Sequence, residues 1–223
     1  PMAGKGQRFV DAGYSVPKPF IEVDGQPMIC RVLDSLPDFA EIIVLAREDQ
    51  REYCEKYIPD YKKVYIQGDT GGAVNTVFYA DKYVSSFDPI VIVDSDQILN
   101  INHDMTLRNM EGYEGGIVTF QADGDPKYSY VDGWPIVTKT AEKDPISEYA
   151  AGGFYYFASW RVFKVAAQYM IAAEDKVNGE YYICPVYNYL RSFVRNIPVE
   201  NDKFIRWGTP EEVEAYHARY QSA

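Results

Sequence analysis

The segment Met2-Ala-Gly-Lys-Gly-Gln-Arg-Phe9 joins two glycines to two cations, and a third cation, Lys18, follows within Val16-Pro-Lys-Pro-Phe20. Glycines let a backbone bend tightly and turn its N–H groups toward phosphate oxygens, while Lys and Arg offset the charge those oxygens carry. The chemistry on offer is a phosphate clamp. The segment does not match GxxxxGK[ST] and lacks the third glycine of GxGxxG, so neither a P-loop nucleoside triphosphatase nor a Rossmann dehydrogenase is supported. Taken alone, an ordinary surface turn explains it as well.

A second constellation is Ile90-Val-Ile-Val-Asp-Ser-Asp-Gln97, an apolar run that ends in acids. A carboxylate at the carboxyl end of a strand can hold Mg²⁺ with one or two protein ligands, leaving the remaining positions to water and substrate phosphates. Side-chain direction repeats every two residues along a strand, so Asp94 and Asp96 point the same way if the strand continues. The competing explanation is a solvated turn or a helix cap.

Short apolar runs alternate with helical patterns through the first half and supply the elements that would position these groups. Glu41 to Ala46 predicts a buried strand, Glu48 to Tyr57 a helix, and Val64 to Gln67 another strand. Gly71-Gly72 opens a helical stretch with Val74, Val77, Phe78 and Val84, and Ile90 to Val93 returns to strand. This β-α-β-α order predicts a largely parallel sheet with helices on both faces and ligands at the strands' carboxyl ends. Beyond Asp96 shorter strands are expected at Gly116 to Gln121, Tyr128 to Val131, Pro135 to Lys139 and Gly153 to Phe157, in mixed or antiparallel order. Helices are expected at Trp160 to Ala173, with Val162, Val165, Ala166, Tyr169 and Met170 on one face, at Tyr181 to Phe193, and after Pro210. Glycine loops that hold phosphates ordinarily follow a buried strand, so an apolar strand is expected upstream of Pro1.

Composition narrows the function classes. Across 223 residues the formal net charge is -11, which opposes a broad nucleic-acid footprint because that needs a basic stripe. No run approaches the ~18 to 20 apolar residues that span a bilayer. Cys30, Cys54 and Cys184 are odd in number and lack CxxC spacing, which fits reduced, cytoplasmic thiols rather than a zinc site. His103 and His217 stand apart without a metal or nucleophile pattern. Of the 20 tyrosines most are expected in packing, with Tyr155, Tyr156, Tyr181 and Tyr182 as candidate site residues.

In combination these motifs resemble the nucleotidylyltransferase superfamily that makes activated sugars and related nucleotide-linked metabolites. The resemblance rests on MAGKGQRF…VPKPFIEVDGQPMI, on Thr70-Gly-Gly-Ala-Val-Asn-Thr76, on Ala141-Glu-Lys-Asp144 with Gly152-Gly-Phe-Tyr-Tyr-Phe157, and on Gly179-Glu-Tyr-Tyr182 and Trp207-Gly-Thr-Pro-Glu-Glu212, in that order. It implies one α/β domain over 1–223, with a Rossmann-like mixed, mainly parallel sheet flanked by helices and a smaller antiparallel region on the acceptor side. It implies NTP contacts from Ala3, Gly4, Gly6, Gln67 and Gly72, phosphate-holding Arg8 and Lys18, and Mg²⁺ on Asp96. Glu142, Lys143 and Gly153 would face a phosphorylated acceptor. The implied reaction moves a nucleoside monophosphate from an NTP to that acceptor, a sugar 1-phosphate in the main reading, and releases pyrophosphate.

Several sugar-nucleotide enzymes of this superfamily carry an acidic metal ligand two residues before the late Gly-Thr, where this chain has Arg206. Three explanations stand: fewer protein ligands to the metal, another acid such as Asp202 reaching the site, or Arg206 supplying charge in place of a second ion. The same departure supports a rival reading, a non-catalytic module that binds a nucleotide sugar and regulates a partner. A second alternative is a cytidylyltransferase acting on a phosphorylated metabolite other than a sugar. A homo-oligomer is expected from aromatic richness and family habit, with no interface defined.

Overall fold

The alternation of apolar runs and amphipathic stretches becomes a mixed α/β fold in the computed structural model, which describes residues 1–37 and 41–220. A short helix α1 (Gln7–Asp11) leads to a hairpin of β1 (Glu22–Val23) and β2 (Gln26–Pro27), then α2 (Met28–Ser35). Asp24 and Gly25 at the hairpin tip both take positive φ, 53° and 74°, as a two-residue reverse turn requires. There follow β3 (Ile43–Arg47), α3 (Arg51–Tyr57), β4 (Lys62–Ile66), α4 (Ala73–Phe78), β5 (Ile90–Val93), β6 (Gln97–Leu99) and α5 (His103–Arg108). The second half holds β7 (Gly115–Gln121), β8 (Ser129–Asp132), β9 (Lys139–Glu142), β10 (Tyr149–Phe157), α6 (Trp160–Ala172), β11 (Val194–Val199), β12 (Phe204–Arg206) and α7 (Pro210–Tyr220).

Parallel pairing joins β3 to β4 and β7 to β11. The larger sheet runs β11-β7-β10-β8-β9, and β5 also pairs antiparallel with β10. The long β10 changes partner along its length: Ala150 pairs with Tyr130 of β8, whereas Phe154 to Phe157 pair with β5. The register against β7 shifts between Ala151 and Tyr155, around Gly152-Gly153. A bulge of this kind bends a strand and re-aims its side chains. It falls where the Asp94 N–H donates to the Gly153 carbonyl at 2.9 Å, so the bend in β10 sits against the acidic end of β5.

Packing secures this frame. Ser159 caps α6 by accepting from the Val162 N–H at 3.2 Å, and Trp160, Phe163, Ala166, Ala167 and Met170 form its buried face. Val165 and Tyr169, expected on that face, are 40% and 50% exposed. The helix carries a second apolar stripe, and the stripe that meets the Phe157 side of the sheet is the buried one. The helix expected over Tyr181 to Phe193 is a six-residue 3₁₀ turn, Cys184–Tyr189. There Asn188 exchanges two 2.8 Å hydrogen bonds with the backbone of Thr140 and completes the edge of β9. Residues 135–138, expected as strand, form a single bridge between Ile136 and Arg195.

Between β3 and β5 lies a cavity of about 800 Å³, lined by groups that include Met2, Val44, Leu45, Ile92 and Val93, with Pro1 at its wall. Met2 N–H donates to the Leu45 carbonyl at 2.8 Å, so the chain already runs along the edge of β3 as it leaves the cavity. Among the described residues no helix is long and apolar enough to cross a membrane.

Candidate functional site

The glycine loop and the acidic strand end meet around Lys18, which lies 78 residues before Asp96. Its Nζ donates to Asp96 Oδ2 at 2.6 Å and to the Gly208 carbonyl at 3.3 Å. Gly6, at φ +64°, is what lets the loop approach: a Cβ there would lie 2.9 Å from the Lys18 Cβ. Lys18 is placed in turn by a 3₁₀ turn, Lys18–Phe20, whose Phe20 is buried. The Trp207 N–H donates to the Asp96 carbonyl at 2.8 Å, tying the late Trp-Gly-Thr segment to the same point. Arg8 is exposed on α1, and its charge reaches Tyr182 and Glu211. Ala3 packs on the central core, while Gly4 is exposed with open space where a Cβ would be.

A second loop closes toward the first. Gln67 is exposed directly after β4, and Lys5 of the glycine loop pairs with Asp69 at 2.9 Å. Gly72, at φ +126°, lies so close to Tyr181 that a Cβ would strike its backbone. Tyr181 N–H donates to the Gly71 carbonyl at 3.0 Å, and Val74 N–H to the Tyr181 carbonyl at 3.1 Å. This zipper draws Glu180-Tyr181-Tyr182 alongside the start of α4. Lys143 Nζ then donates to the Tyr182 hydroxyl at 2.6 Å, and that hydroxyl donates to Glu180 at 2.8 Å. The two halves of the chain therefore meet across one site.

Glu142 closes β9 with 8% exposure and accepts a hydrogen bond from Ser129. Burial holds its carboxyl above the ordinary range, against the opposing pull of Ser129 and Lys143. Asp94 is pushed up to about 7, by burial first and by the neighbouring Asp96 charge second. At Asp96 burial acts in the same sense, but the charges of Lys18 and Arg206 outweigh it and hold the carboxyl below its usual value. Two carboxylates two residues apart are thus driven in opposite directions, one toward the proton and one toward the cation, as closely spaced acids are.

Gly153 supports the site from beneath: at φ +66° a Cβ there would overlap the Gln97 amide and the Asp94 carboxylate. Tyr155, Tyr156 and Tyr181 are buried packing residues at 5%, 9% and 6% exposure, so of the four tyrosines singled out by sequence Tyr182 is the one that joins the polar cluster. Asp202 lies on an exposed turn and pairs with Lys203 at 3.6 Å, which removes support for it as a replacement ligand. Glu212 was not singled out, yet its Oε2 accepts from the N–H groups of Gly208 at 2.7 Å and Thr209 at 3.2 Å. Glu212 N–H reaches back to Thr209 Oγ1 at 3.3 Å. The signal was present in Thr209-Pro-Glu-Glu212, a capping box at the start of α7.

The family described as MobA-like NTP transferase domain matches residues 2–181. Among curated relatives, the bifunctional protein GlmU of Thermotoga maritima is 24% identical over 203 residues, which is 84% of this chain and 43% of that protein. The chain therefore spans less than half the length of that relative. Among solved structures, a nucleoside-diphosphate-sugar pyrophosphorylase from Vibrio cholerae superposes with a TM-score of 0.83 at 24% identity, covering 97% of each chain. The inositol-1-phosphate CTP transferase of T. maritima gives a TM-score of 0.74 at 16% identity, over 97% of this chain and 91% of that one.

Proposed function

We propose that this chain, which belongs to the MobA-like NTP transferase domain family, transfers a nucleoside monophosphate from an NTP to a phosphorylated small molecule. The observation that carries the proposal is the 2.6 Å Lys18–Asp96 contact, which unites two motifs that each suit phosphate chemistry. An oxygen of the acceptor phosphate attacks the α-phosphorus in line, one O–P bond forms, and the α–β bridge breaks to release pyrophosphate. Two anions must be brought together, so positioning and electrostatics provide most of the acceleration. The glycine loop presents N–H groups, Arg8 and Lys18 hold the NTP phosphates, and Lys143 faces the acceptor's phosphate. Glu142 serves the acceptor's hydroxyl or polar groups. No Ser-His or Cys-His pair is needed, because the attacking oxygen belongs to the acceptor.

A divalent cation fits the donor set in a limited way. Among the described residues no three His, Cys, Asp or Glu side chains gather to hold a metal by themselves. Asp96, with Asp94 behind it, supplies the one or two carboxylates that Mg²⁺ takes when substrate phosphates and water complete its shell. Bound there, the ion would neutralise charge on the triphosphate. Lys18, 2.6 Å from Asp96 Oδ2, would share the neutralisation of those phosphates with the ion.

We assign the acceptor to the sugar 1-phosphates. The Vibrio protein supports this, since its name is that of a sugar-nucleotide enzyme. A matrix of NTPs against sugar 1-phosphates and other phosphomonoesters, with and without Mg²⁺, is scored by pyrophosphate release. Release that needs both substrates supports the proposal. Tight nucleotide-sugar binding without release for any pair favours the regulatory module instead.

A further inference from the structure

Arg206 ends β12 opposite Gln97 of β6, directly beside the Asp96 carbonyl contact of Trp207. Its side chain is 18% exposed, and its Nε and Nη1 are buried without a hydrogen-bond partner. The Glu212 carboxylate lies 3.7 Å from Nε, beyond hydrogen-bond reach. That carboxylate is already engaged by the Gly208 and Thr209 N–H groups and by Lys127 at 3.3 Å. The guanidinium is held in place from two sides. Its charge centre lies 4.7 Å over the Tyr128 ring, and a Cβ at Gly208 would come within 2.7 Å of Nε.

Three lysines of the site are committed. Lys18 is bound to Asp96 and Gly208, Lys143 to Tyr182, and Lys127 to Asp125 and Glu212. Arg206 Nε and Nη1 are left without a partner, and its charge bears on Asp94, Asp96 and Glu142. Orphaned donors on a buried cation are costly and call for an anion. A planar guanidinium offers two parallel N–H groups, a geometry that matches a phosphate better than a point charge does.

We infer that Arg206 joins Lys143 in binding the phosphomonoester group of the acceptor, gripping its oxygens while the attacking oxygen faces the α-phosphorus. The inference rests on the nucleotidyl-transfer reading for its acceptor, but the anion site itself is independent of turnover. The guanidinium would then supply, at the position of an acidic residue in similar enzymes, charge that draws the acceptor in.

Orthophosphate binding to the whole chain, measured by calorimetry with chelator and no nucleotide, tests the anion site. Arg206→Gln is expected to weaken that binding at least about tenfold, the scale of a lost charge-assisted hydrogen bond, and Arg206→Lys to recover part of it. In the pyrophosphate assay Arg206→Gln raises KM for the acceptor by a similar factor and leaves KM for the NTP within about threefold. Wild-type protein that binds no orthophosphate overturns the inference, as does a folded Arg206→Gln protein with unchanged affinity. If Arg206→Gln does not fold, the same comparison is read from Arg206→Lys, where affinity equal to wild type counts against the bidentate grip. Absence of turnover in wild type, with the orthophosphate difference intact, strikes the reaction and spares the site.

Discussion

Among the individual residues, the cations that neutralise Asp96 decide the chemistry of the site. With Lys18 at 2.6 Å and the Arg206 charge nearby, that carboxylate stays ionised while Asp94 tends toward its proton. Asp96→Asn and Lys18→Ala are each expected to lower turnover at least ~100-fold, the scale of losing a transition-state electrostatic contact. Steady-state kinetics with near-normal turnover in both variants would exclude this site. Glu142 gives a separate, pH-dependent expectation. Burial raises its folded pKa above the ordinary 4.5, so over that interval the folded protein keeps a proton that the unfolded chain has released. Stability from this group is present below the unfolded pKa and lost as pH rises through the folded one. Glu142→Gln, which keeps an acceptor for Ser129, should therefore gain in thermal stability relative to wild type as pH rises through that interval. A difference in Tm that is flat with pH would contradict the assignment.

Elements carry the next level, because the site exists where two loops and one bulge are pressed together. Gly72→Ala places a methyl against the Tyr181 backbone at a φ that L-residues avoid, and it should cost ~1 to 3 kcal/mol in denaturant unfolding and weaken NTP binding. Gly124 also has positive φ, 84°, but open space around it, so Gly124→Ala should cost ~1 kcal/mol or less and leave binding unchanged. Equal losses at the two positions would argue against the Gly72–Tyr181 zipper. Much at this level was legible in sequence: β5 ends in acids as its apolar run announced, and β3, α3 and β4 follow their patterns within a few residues. The change of partner along β10 was not legible, since one apolar strand reads alike against β8 or β5. The glycine pair 152–153 was its trace. The buried face of α6 was placed in part: Ala166 and Met170 are buried as expected, whereas Val165 and Tyr169 lie on an apolar stripe that the sheet leaves exposed. Arg206 was visible as a departure, whereas its unpartnered donors arise from the fold of Tyr128, Gly208 and Glu212 around it.

For the whole molecule, the about 800 Å³ cavity between β3 and β5 bears on the strand expected before Pro1. A five-residue extension of Val and Ile placed directly before Pro1 would continue along the β3 edge from Met2, whose N–H already donates to the Leu45 carbonyl. At ~1.5 to 3 kcal/mol for each buried side chain, and ~2 to 4 °C per kcal/mol for a chain of this size, Tm is expected to rise by at least ~5 °C. An unchanged Tm would show that the cavity is not a strand slot. The family assignment and the superposition over 97% of the Vibrio chain fix the frame in which all of this operates. The reaction itself is tested most directly by ³¹P NMR of the protein with an NTP, a sugar 1-phosphate and Mg²⁺. Nucleotidyl transfer gives loss of the β-phosphate triplet, free pyrophosphate, and two coupled doublets from a new diphosphate joining the α-phosphorus to the acceptor's phosphate. Spectra in which every NTP and phosphomonoester combination stays unchanged would contradict it.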